Sequence, residues 1–408
     1  MMLNIKHKIA IVTPYGAEPR LENYAEFLLA QGLLKRDYEV KFFTYKISNN
    51  PHYQNSRQFY QGVEVCRCRQ YLGFSPGLCY EIWRWRPYIL VAFHPRNFLG
   101  FCTALMAKII RAKYIYEIVG ILHDPFIASD GNHPIDTVMY QSVLLKNFTL
   151  FFKSLFKSGS LKEKWLNFIF HAPPAWADKL VAISADEQKY INHFYNKDSV
   201  LIPWSLPKDA MKTKERPINF PINFDNYLFF IGQIKKRKGW DTVLDSLSIL
   251  KHEFGIIKNL VFTAPLINVD EAKEYARQLK IEDQIFFLTN VSNAEKNWLY
   301  CHSVGVLVPS RYEGFGLPVL EAFLADKPLL ATDIPVFLEF LTHKKNALIS
   351  KVGDAKSLAK NIIELENDPE LARELVSAGR VTASRYTDDI MIEKFIKLFD
   401  DLLSEKLA

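Results

Sequence analysis

Short apolar runs alternate with stretches of helical spacing along almost the whole chain. Such alternation argues for parallel sheets covered by helices, because strands buried on both faces read as continuous apolar runs. In the first half the pattern predicts strands at 8–13, 39–44, 63–67, 89–93, 114–119, 179–183 and 200–202. Helices are predicted at 21–35, 98–111 and 185–195. The stretch 203–226 carries four prolines and little periodicity, so it reads as a linker. A second series follows, with strands at 227–231, 260–263, 284–288, 304–308, 328–331 and 347–350. Its helices are predicted at 240–253, 269–279, 295–301 and 318–325, and three more, at 355–367, 369–386 and 389–403, close the chain. The fold class is α/β, with two open parallel-sheet domains at 1–205 and 206–386. In such sheets ligands bind outside the carboxyl ends of the strands.

One region breaks the alternation. Residues 137–172 are rich in Phe, Leu and Lys, and Glu163 is their only acidic residue. The stretch fits a helical pair packed on the first domain. It also fits an interfacial helix, with Lys146, Lys153 and Lys157 at lipid headgroups and Phe148, Phe151, Phe152 and Phe156 in the acyl boundary.

Charge sharpens this picture. Residues 1–205 carry 24 Lys and Arg against 16 Asp and Glu, whereas 206–408 carry 27 against 29. The basic first half points to an anionic partner there, whether a phosphate-bearing substrate or an anionic membrane surface. The basic residues are scattered, without the aromatic-plus-basic signature of an RNA-binding module, so no nucleic acid is expected. Five cysteines form no zinc-like spacing and no even framework, which favours reduced thiols. The first residues hold only a four-residue apolar core, and the longest apolar run, FLGFCTALMAKII, is 13 long and contains Lys108. A cytoplasmic protein, at most peripheral on the inner face of the membrane, is expected.

The most informative stretch is PSRYEGFGLPVLEAFLADKPLLATDIP, from Pro309 to Pro335. Two carboxylates, Glu313 and Glu321, flank a Gly-Phe-Gly-Leu-Pro turn that follows an apolar strand. Pro318 suits the first turn of a helix, where its missing N–H would be unpaired anyway. Gly314 and Gly316 let backbone approach a ligand closely. A helix N-terminus presents free N–H groups and a positive dipole end, a site for phosphate. Carboxylates beside it accept hydrogen bonds from sugar hydroxyls. A nucleotide sugar needs both.

Glu313 and Glu321 form an E-x(7)-E pattern, and EGFGLPVLEA resembles the commonest form of that signature in retaining glycosyltransferases of the GT-B fold, the family 4-like "group 1" enzymes. FFIGQIKKRKG at 229–239 is similar to that family's phosphate-binding strand and loop, DKLVAIS at 178–184 to the last strand of its first domain, and YEIVGILHDP at 116–125 to the segment with its active-site histidine. The resemblance implies two Rossmann-like domains facing across a cleft, an acceptor-binding first domain and a donor-binding second one. It also implies a C-terminal helix, 387–408, packed back on the first domain. By the same resemblance Glu313 binds hydroxyls of the transferred sugar and Glu321 binds the ribose. Phe315, Gly316 and Leu317 offer backbone amides. Lys238 neutralises the departing diphosphate, assisted by Arg237. Gly16 nears the phosphates, and His123 lies near the reacting sugar. Gln233 stands where the family has an arginine, FTAPLIN replaces a Gly-Asp-Gly segment, and the first loop has the single glycine Gly16 where the family has a pair. On its own spacing Gly16 fits a plain turn equally well, and His123 fits a helix start.

No Asp-x-Asp occurs in the sequence, the pair that metal-dependent sugar transferases of the other common fold use to hold Mg²⁺. The expectation is therefore a hexosyltransferase without metal or other cofactor. It would take a nucleotide-diphosphate sugar as donor and a glycan or lipid-linked acceptor, and would act in cell-envelope or polysaccharide biosynthesis. The alternatives are a non-catalytic partner subunit of the same fold and a sugar-nucleotide epimerase or sugar phosphorylase.

Overall fold

The computed structural model describes residues 7–14, 21–46, 55–71, 74–93, 98–118, 161–221, 224–264 and 269–407. They form two compact units. The first runs to Pro203 and resumes at Asp388; the second spans Trp204–Thr387.

The first unit is built on an eight-stranded sheet: β1 (Lys8–Val12), β2 (Glu39–Tyr45), β3 (Arg57–Tyr60), β4 (Val63–Cys68), β5 (Ile89–Phe93), β6 (Lys113–Ile118), β7 (Lys179–Ala182) and β8 (Ser199–Leu201). The order is β3-β4-β2-β1-β5-β6-β7-β8. All neighbours are parallel except β3, which hairpins antiparallel onto β4. The central strands are buried on both faces, with Ile9, Ile11, Leu90 and Val91 at 0% exposure, as their unbroken apolar runs require. Pattern reading misses β3, a polar edge strand. It also misses the helix Pro76–Trp85, although Ser75 accepts from the Leu78 amide at its start and proline opens its first turn. The first helix begins later than expected, at Ala25.

The helix Leu161–Trp176 includes the end of the unusual 137–172 stretch. It packs on the helix Phe98–Ile110: the Phe101 ring lies 5.6 Å from Phe168 and 5.8 Å from Trp176, and Phe168, Ile169 and Ala172 are buried. These three residues belong to the core, while Trp165 of the same helix is exposed. Lys146, Lys153, Lys157 and the four phenylalanines of the membrane reading lie outside the described residues. The last helix, Asp388–Leu407, also belongs to the first unit. Its Ile392 fills the space left by Gly32, where a Cβ would stand 2.4 Å away, and its Phe395 meets Phe93 of β5 at 5.9 Å.

Glu26 sits in the first turn of the helix Ala25–Leu34, fully buried, and accepts from Thr13 Oγ1 at 3.0 Å. Burial pushes its carboxyl up from 4.5 to about 7. The folded state then holds a proton that the unfolded chain releases between those values, so stability falls as pH rises through this window. Glu26→Gln is expected to gain about 3 kcal/mol over wild type at pH 8 and almost nothing at pH 4. Urea melts of the first unit at the two pH values measure the difference.

The second unit has six parallel strands: β9 (Tyr227–Ile231), β10 (Asn259–Ala264), β11 (Ile285–Thr289), β12 (Gly305–Val308), β13 (Leu329–Thr332) and β14 (Leu348–Ser350). Their order is β11-β10-β9-β12-β13-β14. The sequence of strands reverses between β9 and β12, which pair directly. A crevice forms at such a reversal, because successive connections leave in opposite directions. Among the described residues, no helix is long and apolar enough to cross a membrane.

Candidate active site

Both motifs singled out in the second unit leave the carboxyl ends of the two strands at this reversal. After β9 the chain makes one turn of 3₁₀ helix, Lys236–Lys238, and enters the helix Trp240–Phe254 through Gly239. After β12 it runs through Pro309–Gly316 into the helix Leu317–Leu324. Gly239 has φ +67°, and a Cβ there would lie 2.0 Å from the Pro309 carbonyl oxygen. Only glycine lets the two loops touch.

Arg311 fastens them. Its amide donates to the Arg237 carbonyl at 2.7 Å. Its guanidinium grips Asp241 with two bonds of 2.7 and 2.9 Å and donates to the Lys236 carbonyl at 2.6 Å. Burial raises the Asp241 carboxyl, but the bonds from Arg311 and Lys236 outweigh it and hold the group below its ordinary value. A planar fork on a carboxylate is stiff, so it sets the loops in register.

The loops bring Lys238, Arg237 and Glu313 together. Lys238 Nζ lies 2.5 Å from Glu313 Oε1, Arg237 Nη1 lies 3.6 Å from Oε2, and Ser310 Oγ donates to Oε1 at 2.7 Å. Glu313 is only 8% exposed. Burial pushes its carboxyl up, yet Lys238 and Arg237, with the hydrogen bonds, bring it below the ordinary carboxylate range. Glu313 is therefore ionised at neutral pH.

The turn before the helix Leu317–Leu324 has Gly316 at φ +102°, where a Cβ would strike the Phe337 ring at 2.5 Å. Phe315 turns its side chain away into a pocket of Phe340 and Tyr386, with ring centroids 5.6 and 5.5 Å distant. Among the described residues no hydrogen bond occupies the amides of Gly314, Phe315, Gly316 and Leu317. They are available to an anion.

Glu321 lies on the helix that follows this turn. It is the fifth residue of its helix, and its carboxylate meets the neighbouring helix Asn293–His302. Lys296 pairs with Oε1, and Tyr300 donates to Oε2 at 2.8 Å. Tyr300 is fully buried, and burial beside Glu321 holds its hydroxyl well above its usual range, so it stays a donor. Sequence reasoning missed Ser310, Arg311, Asp241, Lys296 and Tyr300. Lys296 and Tyr300 carry a visible signal, four residues apart on one helix face. Gln233 is exposed at the end of β9. Gly16 and His123 lie outside the described residues.

Residues 211–382 match the family described as Glycosyl transferases group 1. That match covers most of the second unit. The O-antigen chain mannosyltransferase RfbU of Salmonella typhimurium is 23% identical over 243 residues, 59% of this chain and 64% of that protein. The chain thus spans less than two thirds of this curated relative's length. Two solved structures share the whole fold. Sucrose-phosphate synthase from Thermosynechococcus elongatus has a TM-score of 0.69 at 15% identity, covering 98% of this chain and 100% of its own. HepE from Anabaena, in complex with UDP and glucose, has a TM-score of 0.70 at 14% identity, covering 97% and 100%. The fold is GT-B, with two parallel-sheet α/β units.

In the second unit Gly239→Ala is expected to destabilise by more than about 1 kcal/mol, since alanine fits neither the positive φ nor the space. It should also weaken nucleoside-diphosphate binding by parting the two loops. Differential scanning calorimetry and titration with UDP and GDP measure the two effects.

Proposed function

We propose that the protein is a retaining glycosyltransferase that moves a hexose from a nucleotide-diphosphate sugar to a glycan or lipid-linked acceptor, without a metal ion. The observation that carries this reading is the meeting of Lys238, Arg237, unoccupied amides and an ionised Glu313 at the strand reversal of the second unit. HepE, crystallised with UDP and glucose, shares the fold, and RfbU is a mannosyltransferase of O-antigen chains. These support a nucleotide-sugar donor and a role in polysaccharide biosynthesis.

In the resting site Lys238 and Glu313 neutralise one another. A donor diphosphate offers Lys238 and Arg237 a stronger anion, and the amides of 314–317 add donors to it. Glu313 then accepts hydrogen bonds from hydroxyls of the hexose and steadies the positive charge that develops on the ring as the bond to phosphate breaks. The leaving phosphate takes the acceptor's proton on the same face, so no side-chain base is needed. Glu321, held by Tyr300 and Lys296, accepts from the ribose hydroxyls. The surplus of positive charge in residues 1–205 favours work at the inner face of an anionic membrane.

The test is to incubate the protein with UDP- and GDP-hexoses and follow the anomeric proton by NMR. Slow donor hydrolysis or transfer with the anomeric configuration kept, unchanged by EDTA, is the expected result. Inversion, or abolition by EDTA, would refute the mechanism; no turnover of any such donor would refute the activity.

A further inference from the structure

Amides that receive a phosphate bind best when they already point at it, and the loop that offers them here has little stiffness of its own. Phe315 stands between Gly314 and Gly316, and glycine restricts the backbone less than any other residue. What fixes the Phe315 side chain therefore fixes the amides of 314–317.

The Phe315 ring is buried in a triangle of rings. Tyr386 lies 5.5 Å away and Phe340 5.6 Å away, and those two are 5.6 Å from each other. Rings at such separations attract one another beyond the area they bury. Phe337, which closes the space beside Gly316, lies 6.3 Å from Phe340 and extends the same cluster.

The two partner rings are themselves fastened by polar bonds. Asn346 is buried, and its side-chain nitrogen donates to the Phe340 carbonyl at 2.8 Å and to the Thr382 hydroxyl at 2.9 Å. Thr382 lies in the last turn of the helix Pro369–Ala383. Just beyond that helix the Tyr386 amide donates to the Ala383 carbonyl at 2.9 Å, and the Tyr386 carbonyl accepts from the Leu206 amide at 3.1 Å. Thr387 pairs with Leu206 in an isolated bridge. Backbone bonds thus hold Tyr386 in place, and its ring reaches a loop distant in sequence.

We propose that Tyr386 is a positioning residue of the donor site: by clamping the Phe315 ring it aims the amides of 314–317 and sets how tightly a nucleoside diphosphate is held. Phe340 forms the second wall of the clamp. The inference rests on the reading that these amides take the donor's diphosphate. Tyr386 acts through Phe315 and not on the donor. Amides aimed in advance need no reordering when the anion arrives, so a loosened ring is felt as lost affinity.

The experiment compares wild type with Tyr386→Leu, which removes the ring but keeps an apolar side chain, and Tyr386→Phe, which keeps the ring. Hydrogen exchange without ligand is followed at two amides of the second unit. Val319 donates to the Gly316 carbonyl at 2.9 Å and reports on the loop; Gly232 donates to the Thr263 carbonyl at 3.1 Å and reports on the rest of the unit. In Tyr386→Leu the Val319 amide should exchange at least about tenfold faster while Gly232 keeps its rate. Calorimetric titration with UDP and GDP should show the tighter of the two bound at least about tenfold more weakly. Tyr386→Phe should match wild type in both measurements. Unchanged exchange at Val319, equal acceleration at both amides, or unchanged nucleotide affinity in Tyr386→Leu overturns the proposal. Should Tyr386→Leu not fold, Phe340→Leu opens the other wall and carries the same expected outcomes. Hexose-donor turnover is read in parallel. If wild type turns over no donor while exchange and titration behave as expected, the transferase reading fails and the positioning role stands; turnover with an affinity indifferent to Tyr386→Leu spares the reading and removes the role.

Discussion

Lys238→Ala is expected to lose on the order of 10²-fold or more in turnover, the usual loss when a group that stabilises a leaving anion is removed. The fold should survive. The 3₁₀ turn keeps its backbone bonds, with the residue 238 amide donating to the Lys235 carbonyl at 2.8 Å. Glu313 loses its nearest cation, which for a fully isolated buried charge would cost about 3–5 kcal/mol. Arg237 at 3.6 Å and the Ser310 hydroxyl remain, so the cost is smaller. Turnover with the best donor and a thermal melt together decide the matter. Wild-type turnover in a folded Lys238→Ala would show that the leaving diphosphate is neutralised by other groups.

Glu313→Gln should also cut turnover by about 10²-fold, and with a different signature. The amide keeps the shape and one acceptor oxygen but removes the charge that steadies a cationic sugar. Nucleoside-diphosphate affinity should hold or rise, because Lys238 and Arg237 lose their internal anion. Glu321→Gln should raise the donor's Michaelis constant more than it lowers turnover, since on the proposed reading ribose is held equally in ground and transition states. Its effect should be paralleled by Tyr300→Phe, which removes the hydroxyl that bonds Glu321. Steady-state kinetics and nucleotide affinity for the three variants separate the roles. Unchanged turnover and affinity in both glutamine variants would make the glutamate pair structural.

Much of the fold is legible in the chain because its strands are buried on both faces. Ile89–Phe93 and Tyr227–Ile231 fall where unbroken apolar runs place them. β3 escapes because Arg-Gln-Phe-Tyr is a polar edge with every second residue exposed, a weak signal without its partner β4. The helix Leu161–Trp176 runs through Pro173 and Pro174, which sequence rules treat as breakers; ring packing around Phe168 and Trp176 accompanies this exception. The site is legible where chemistry repeats a local pattern, as at Glu313 and Gly316. It is hidden where a contact spans the chain: Arg311 and Asp241 are 70 residues apart, and only the pairing of β9 with β12 brings their loops together.

The helix Asp388–Leu407 has a consequence for how the protein is made. A ribosome delivers the first unit's sheet, then all of Trp204–Thr387, and only afterwards the helix that covers Gly32 and Phe93. At about 5–20 residues per second the first unit waits roughly ten to forty seconds with that apolar seam open. Trp204–Thr387 of the second unit is complete while the seam is still waiting. A nascent chain stalled within the second unit would therefore expose an apolar groove on the helix Ala25–Leu34.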